Sequence, residues 1–152
     1  MIAPEKLQKY SLFGGLLEDQ INKILPHMIE EFWDAGEDII IEGDPNDKIR
    51  FILEGRVAVL KQNIILYEFD EGNTFGEMEV LDVMPSAATI KTLTPTKTFS
   101  ISNKGLREIY KNDIHSFSLI IMNLARDLSR RLRLMDKKII SGVAENFLDD
   151  LT

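Results

Sequence analysis

The chain has 152 residues, of which 44% are hydrophobic and 28% charged, with a formal net charge of −7 and no cysteine. That length is enough for one domain to bury its own core. The lack of cysteine excludes disulfides, thiolate-bound zinc, iron–sulfur clusters and thiol switching, and the acidic balance opposes non-specific attraction to nucleic acid.

The amino terminus, Met1-Ile2-Ala3-Pro4-Glu5-Lys6, lacks the basic start and apolar run of a secretion signal. No later segment has the uninterrupted apolar length of a membrane span, so a cytoplasmic location is expected. Leu7, Leu12, Phe13, Leu16, Leu17, Ile21, Ile24 and Leu25 read as short helices around a turn at Gly14-Gly15, and Pro26 stops their continuation. His27 and His115 stand far apart in sequence. Each is read as structural, and no haem is expected.

From Ile29 to Ile101 the periodicity changes to short runs rich in β-branched and aromatic residues: Phe32-Trp33, Ile39–Ile41, Phe51–Leu53, Val57–Leu60, Ile64–Tyr67, Ala88–Ile90 and Thr98–Ile101. Gly36, Gly43, Gly55, Gly72 and Gly76 punctuate them, which suits tight turns between antiparallel strands. Many short strands with regular turns predict one compact roll or barrel. Beyond Asn103 the pattern turns helical. Leu106, Ile109 and Tyr110 mark a short amphipathic helix, and Asn112-Asp113 can cap a longer one. Along the longer helix Phe117, Ile121, Leu124, Leu128, Leu132, Met135 and Ile139 form a coiled-coil-like seam. This seam is expected to face a second copy, while Leu119, Ile120 and Leu134 turn towards the roll.

The segment Phe32 to Asp44 (with Gly36-Glu37 and Glu42-Gly43-Asp44), Phe51-Ile52-Leu53-Glu54-Gly55-Arg56-Val57, and Gly72-Asn73-Thr74-Phe75-Gly76-Glu77-Met78 through Pro85 to Ala87-Ala88-Thr89 resemble a cyclic-nucleotide-binding domain. Leu128-Ser129-Arg130-Arg131-Leu132 resembles the dimer helix of catabolite-activator-type bacterial regulators. The resemblance implies a mainly β fold, a jelly-roll-like double-stranded β-helix with flanking helices and a long carboxy-terminal dimer helix. Residues 1–140 would form this domain, with the dimer helix from about 114, and 141–152 a short tail without a DNA-binding domain, as in a natural single-domain protein. The implied ligand site is a phosphate-binding cassette at Gly76, Glu77, Met78, Ser86 and Ala87, with cyclic AMP or cyclic GMP as its ligand. Glu77 would accept a hydrogen bond from the ribose, or else act as a helix cap.

The sequence departs from that family at informative places. Ser86 occupies the position where the cassette carries its phosphate-clamping arginine, so cyclic nucleotides are expected to bind weakly and Ser86→Arg to tighten them. The turn at Lys61-Gln62-Asn63 is short, trimming one wall of the pocket. Met135 and Asp136 fall where the dimer helix would meet the base, and Asp136 can accept a bond from a base amino group. Arg131 either belongs to a solvated basic flank or leans into the pocket to pair with Glu77 or replace the missing arginine. Together these features imply a non-catalytic regulatory sensor acting in signal transduction as a homodimer, without specific DNA binding by this chain. The alternative is a protein-interaction scaffold with a vestigial pocket. The turn acids Asp44, Asp47, Asp70 and Glu71 have no catalytic partner at a telling spacing, so no enzyme is expected.

Overall fold

A computed structural model of the chain describes the backbone of residues 2–151 and the side chains of all of these except 144–150. Helices α1 (Pro4–Leu7) and α2 (Glu18–Ile24) open the chain, with a 3-10 turn at Ser11–Phe13 between them and another at Leu25–His27 after them. Strands follow as β1 (Met28–Trp33), β2 (Asp38–Ile40), β3 (Lys48–Glu54), β4 (Val57–Lys61), β5 (Ile64–Phe69) and β6 (Thr74–Phe75). Helix α3 (Glu77–Asp82) precedes β7 (Thr89–Thr92) and β8 (Thr96–Ser102), and the chain ends in α4 (Asn103–Asn112) and α5 (Ile114–Leu151).

The strands form two four-stranded antiparallel sheets, ordered β1-β8-β3-β6 and β2-β7-β4-β5. The expected β-roll with flanking helices and a long carboxy-terminal helix is therefore observed. β3 passes through the middle, and Ile49, Phe51 and Leu53 belong to one core cluster while Ile52 belongs to the other. Period-two alternation thus lets a single strand serve both layers. Phe51 is fully buried and packs edge-to-face with Tyr10 and Phe13, tying the amino-terminal helices to the first sheet.

All five turn glycines singled out from the sequence lie at positive φ. Gly55 shows why nothing larger fits. Its φ is +100°, and a Cβ there would stand 2.6 Å from the Pro95 carbonyl oxygen. The β4–β5 hairpin closes through Gln62 and Asn63, at φ 51° and 63°, with Lys61 paired to Ile64. Two consecutive left-handed residues match the twist of the flanking strands. The expected short turn is present.

Asp113 starts α5, as its sequence position predicts. Its carboxylate accepts from the Ser116 amide at 3.2 Å and the Ser116 hydroxyl at 2.5 Å, and these bonds hold its pKa below the ordinary aspartate value.

The helix backbone runs on to Leu151, through the stretch expected as a short tail, and the acidic side chains of that stretch (Glu145, Asp149 and Asp150) fall outside the described residues. One expectation for α5 needs correction, because the apolar seam is divided differently. Ile120 and Leu124 are buried in the first core with Phe117, Leu119 and Ile121 packed on it, while Leu134 is 58% exposed. Positions 117, 120, 121 and 124 share one face of a 3.6-residue helix, and that face covers the roll. Only the later part of the seam is left facing outward, with Leu132, Met135 and Ile139 exposed, as are Ile140 and Val143 outside the seam.

A buried amide locks α5 to the start of the chain. Asn123 Nδ2 donates to the carbonyls of Leu12 at 3.0 Å and Gly14 at 2.9 Å, and Ser11 Oγ donates to Asp127 at 2.9 Å. The two carbonyls belong to a tight turn and would otherwise lack partners.

Candidate functional site

The second sheet, α3 and α5 enclose a cavity of about 410 Å³, within the range of small-molecule sites. Ile40, Val59, Phe69, Phe75 and Ile90 supply an apolar floor, and Leu128, Leu132 and Met135 of α5 form the opposite wall. These three follow the i, i+4, i+7 spacing of one helical face. Lys61 and Leu66, on either side of the short hairpin turn, also border the space.

Gly76 and Glu77 are positioned by the turn that joins β6 to α3. Gly76 has φ +81°, and its carbonyl accepts from Asn46 Nδ2 at 3.2 Å. That conformation swings the chain so that Glu77, the first residue of α3, points inward and is only 2% exposed. Burial pushes the Glu77 carboxyl above the usual carboxylate range, and the Arg131 guanidinium beside it opposes the shift.

Arg131 therefore takes the sharper of its two readings. It donates from Nη1 to Glu77 Oε1 and from Nη2 to the Thr74 carbonyl, and its guanidinium carbon lies 4.6 Å from the centroid of the Phe69 ring. A rigid planar fork stacked on an aromatic face is geometry that arginine supplies and lysine does not. Burial also raises the Tyr67 phenol, again opposed by Arg131. One side chain of α5 thus reaches the β5, β6 and α3 parts of the roll.

Of the residues singled out from the sequence, Gly76, Glu77, Met78, Ala87 and Arg131 all border the cavity. Ser86 and Asp136 do not. Ser86 is 3% exposed, its backbone is bonded to Asp44 and Gly43 at 2.9 Å each, and its hydroxyl has no partner among the described residues. The pairing with the Gly43-Asp44 turn fixes its backbone. Asp136 is exposed, because it lies about 100° round the helix from Met135.

Sequence reasoning missed Glu79, Phe69 and the Thr74 carbonyl. Glu79 borders the cavity, and its Oε1 accepts the Ala87 amide at 3.2 Å. The only sequence signal was a second acid one position beyond Met78 in a short helix. Its partner is a backbone group with no signature of its own. Among the described residues no cluster of three or more His, Asp or Glu could hold a metal ion, and no helix is long and apolar enough to cross a membrane.

Comparison with known proteins agrees with this architecture. Residues 30–113 match the family model of the cyclic nucleotide-binding domain. The chain is 30% identical over 104 residues to the cAMP-dependent protein kinase regulatory subunit of Yarrowia lipolytica, covering 68% of this chain and 28% of that one. It is 26% identical over 133 residues to the cyclic AMP receptor protein of Thermus thermophilus, covering 84% and 60%. The chain thus spans less than two thirds of the length of either relative. Among solved structures, a cyclic nucleotide-binding domain from Methylobacillus flagellatus superimposes with a TM-score of 0.81 at 25% identity, covering 91% of this chain and 80% of that one. The Thermus thermophilus catabolite activator protein does so at 0.74 and 24%, covering 85% and 61%. With the family model matched over more than half of its length, the chain belongs to the cyclic nucleotide-binding domain family.

Proposed function

We propose that this protein is a non-catalytic regulatory sensor in which occupancy of the cavity by a small molecule sets the position of α5, and that cyclic AMP and cyclic GMP bind it only weakly. The observation that carries this reading is Arg131, which leaves α5 to bond Glu77 and the Thr74 carbonyl inside the roll. A ligand that competes for those groups, or that wedges against Leu128, Leu132 and Met135, acts on the helix directly. That gives it a differential affinity for two helix positions, which is what a switch requires. The test is calorimetry against a panel of cyclic mono- and dinucleotides, paired with hydrogen exchange of α5. Binding that alters exchange beyond residue 128 is expected, and binding with unchanged exchange there would refute the coupling.

A second reading, an interaction scaffold with a vestigial pocket, draws on the fact that Glu77 and Arg131 already satisfy one another. Dimerisation fits both readings. The exposed run Leu132, Ile139, Ile140 and Val143 leaves an apolar stripe that a second α5 would cover. Light scattering is expected to report twice the monomer mass, and Ile139→Asp to shift the protein to monomer by placing a charge in that contact. A monomeric wild type at tens of micromolar would exclude the dimer.

A further inference from the structure

The charged groups that border the cavity are two acids, Glu77 and Glu79, and two bases, Lys61 and Arg131. Arg131 is committed to Glu77 and to the Thr74 carbonyl. Ala87 borders the cavity, and its amide donates to the Glu79 carboxylate at 3.2 Å. Among the described residues, an incoming anion therefore meets two carboxylates, an engaged guanidinium and an engaged amide, with the Lys61 ammonium at the hairpin as its remaining cation. Most of the other lining side chains are apolar. A like charge brought beside the buried Glu77 carboxylate is repelled more strongly than in water.

We propose that Glu79 is the specificity-determining residue of this cavity: standing on the Ala87 amide as a built-in anion, it turns the pocket away from phosphate esters and towards uncharged, largely apolar ligands. The inference deepens the sensor reading and rests on it, because it names the class of molecule the sensor takes. It also relocates the cause of weak cyclic nucleotide binding. Ser86 is buried and does not border the cavity, its backbone tied to Asp44 and Gly43, whereas Glu79 holds the amide of a residue that does border it. The carboxylate is already tethered beside that donor, so a free phosphate must displace it as well as bind.

The experiment compares wild type, Glu79→Gln and Glu79→Ala in titrations with two probes, cyclic AMP and the uncharged fluorophore N-phenyl-naphthylamine. Glutamine keeps the shape of the side chain and removes its charge, and alanine frees the Ala87 amide altogether. Both variants are expected to bind cyclic AMP at least about tenfold more tightly than wild type, with dye affinity held within about twofold. Ser86→Arg is expected to tighten cyclic AMP binding more in the Glu79→Ala background than in wild type, where Glu79 would pair with the added guanidinium. Dye binding by all three proteins with cyclic AMP affinity indifferent to residue 79 would overturn the role of Glu79 and leave the sensor reading standing. Failure of all three proteins to bind either probe would overturn the sensor reading, and the inference with it.

Discussion

Replacing Arg131 by methionine is expected to lower the melting temperature by roughly 6–12 °C at neutral pH, and to make the loss grow as pH rises. Glu77 is 2% exposed and the side chain of its partner Arg131 24% exposed. Removing one member of such a pair leaves a buried carboxylate uncompensated, which costs about 3 kcal/mol at the low end of the measured range. In a domain of this size each kcal/mol shifts melting by about 2–4 °C. The sign of the pH dependence follows from burial. The folded protein holds Glu77 above the ordinary carboxylate range, so it binds a proton more readily than the unfolded chain. Stability therefore falls as pH rises from the unfolded value through the raised folded value. Without Arg131 the folded value rises further and the window widens. Circular-dichroism melts between pH 5 and 8 measure this directly, and Glu77→Gln is expected to recover most of the loss in the Arg131→Met background. If the arginine variant melts within about 2 °C of wild type at every pH, the ion pair contributes nothing to the fold.

Gly76→Ala is expected to be as damaging by a different route. At φ +81° an added Cβ would lie 2.6 Å from the Lys48 carbonyl oxygen and 2.9 Å from Asn46 Nδ2. The left-handed backbone alone costs about 1–2 kcal/mol for a residue with a side chain. The overlap with backbone, which cannot rotate aside, brings the total to about 3 kcal/mol. Gly36 provides the comparison, since its φ is +83° but an added Cβ would meet nothing within 4 Å. Gly36→Ala is thus expected to cost only the conformational term, about 1–2 kcal/mol. Urea unfolding of both variants separates sterics from backbone preference. Equal losses would remove the argument that Gly76 is pinned by its neighbours. The same change should displace Glu77, so cavity binding is expected to weaken in Gly76→Ala and remain intact in Gly36→Ala.

Much of the roll could be read from residues because its turns have local causes. Gly36, Gly43, Gly55, Gly72 and Gly76 each fix a corner, and seven of the eight strands contain or border a run picked out by β-branched and aromatic content. The exception, β6, is only Thr74–Phe75, too short to carry a period. The carboxy-terminal helix was harder because two apolar stripes run along it. Spacing alone does not say that Leu124 belongs to the roll and Ile139 to the outside. The site divides in the same way. Glu77 and Gly76 lie in a motif, so sequence finds them. The link from Arg131 to Glu77 bridges 54 positions, and the bond from Glu79 ends on a backbone amide. The first is suggested only by the resemblance of Leu128–Leu132 to a dimer helix, and the second leaves no mark in composition or periodicity.

The clamp made by Asn123 on the carbonyls of Leu12 and Gly14 divides α5 mechanically. Up to that point the helix is bolted to the roll, and from Leu132 to Val143 its side chains are mostly exposed, with Leu132 and Met135 bordering the cavity. A helix rises about 1.5 Å per residue, so the stretch from Arg131 to Val143 is an arm roughly 18 Å long. Rotating that arm by about 10° about its bolted end displaces Val143 by roughly 3 Å, through geometry alone. If occupancy of the cavity turns α5 as proposed, fulcrum and load are separate parts of one helix and the gain is set by arm length. Shortening or lengthening the arm by whole turns is then expected to change how far Val143 travels for the same event in the cavity.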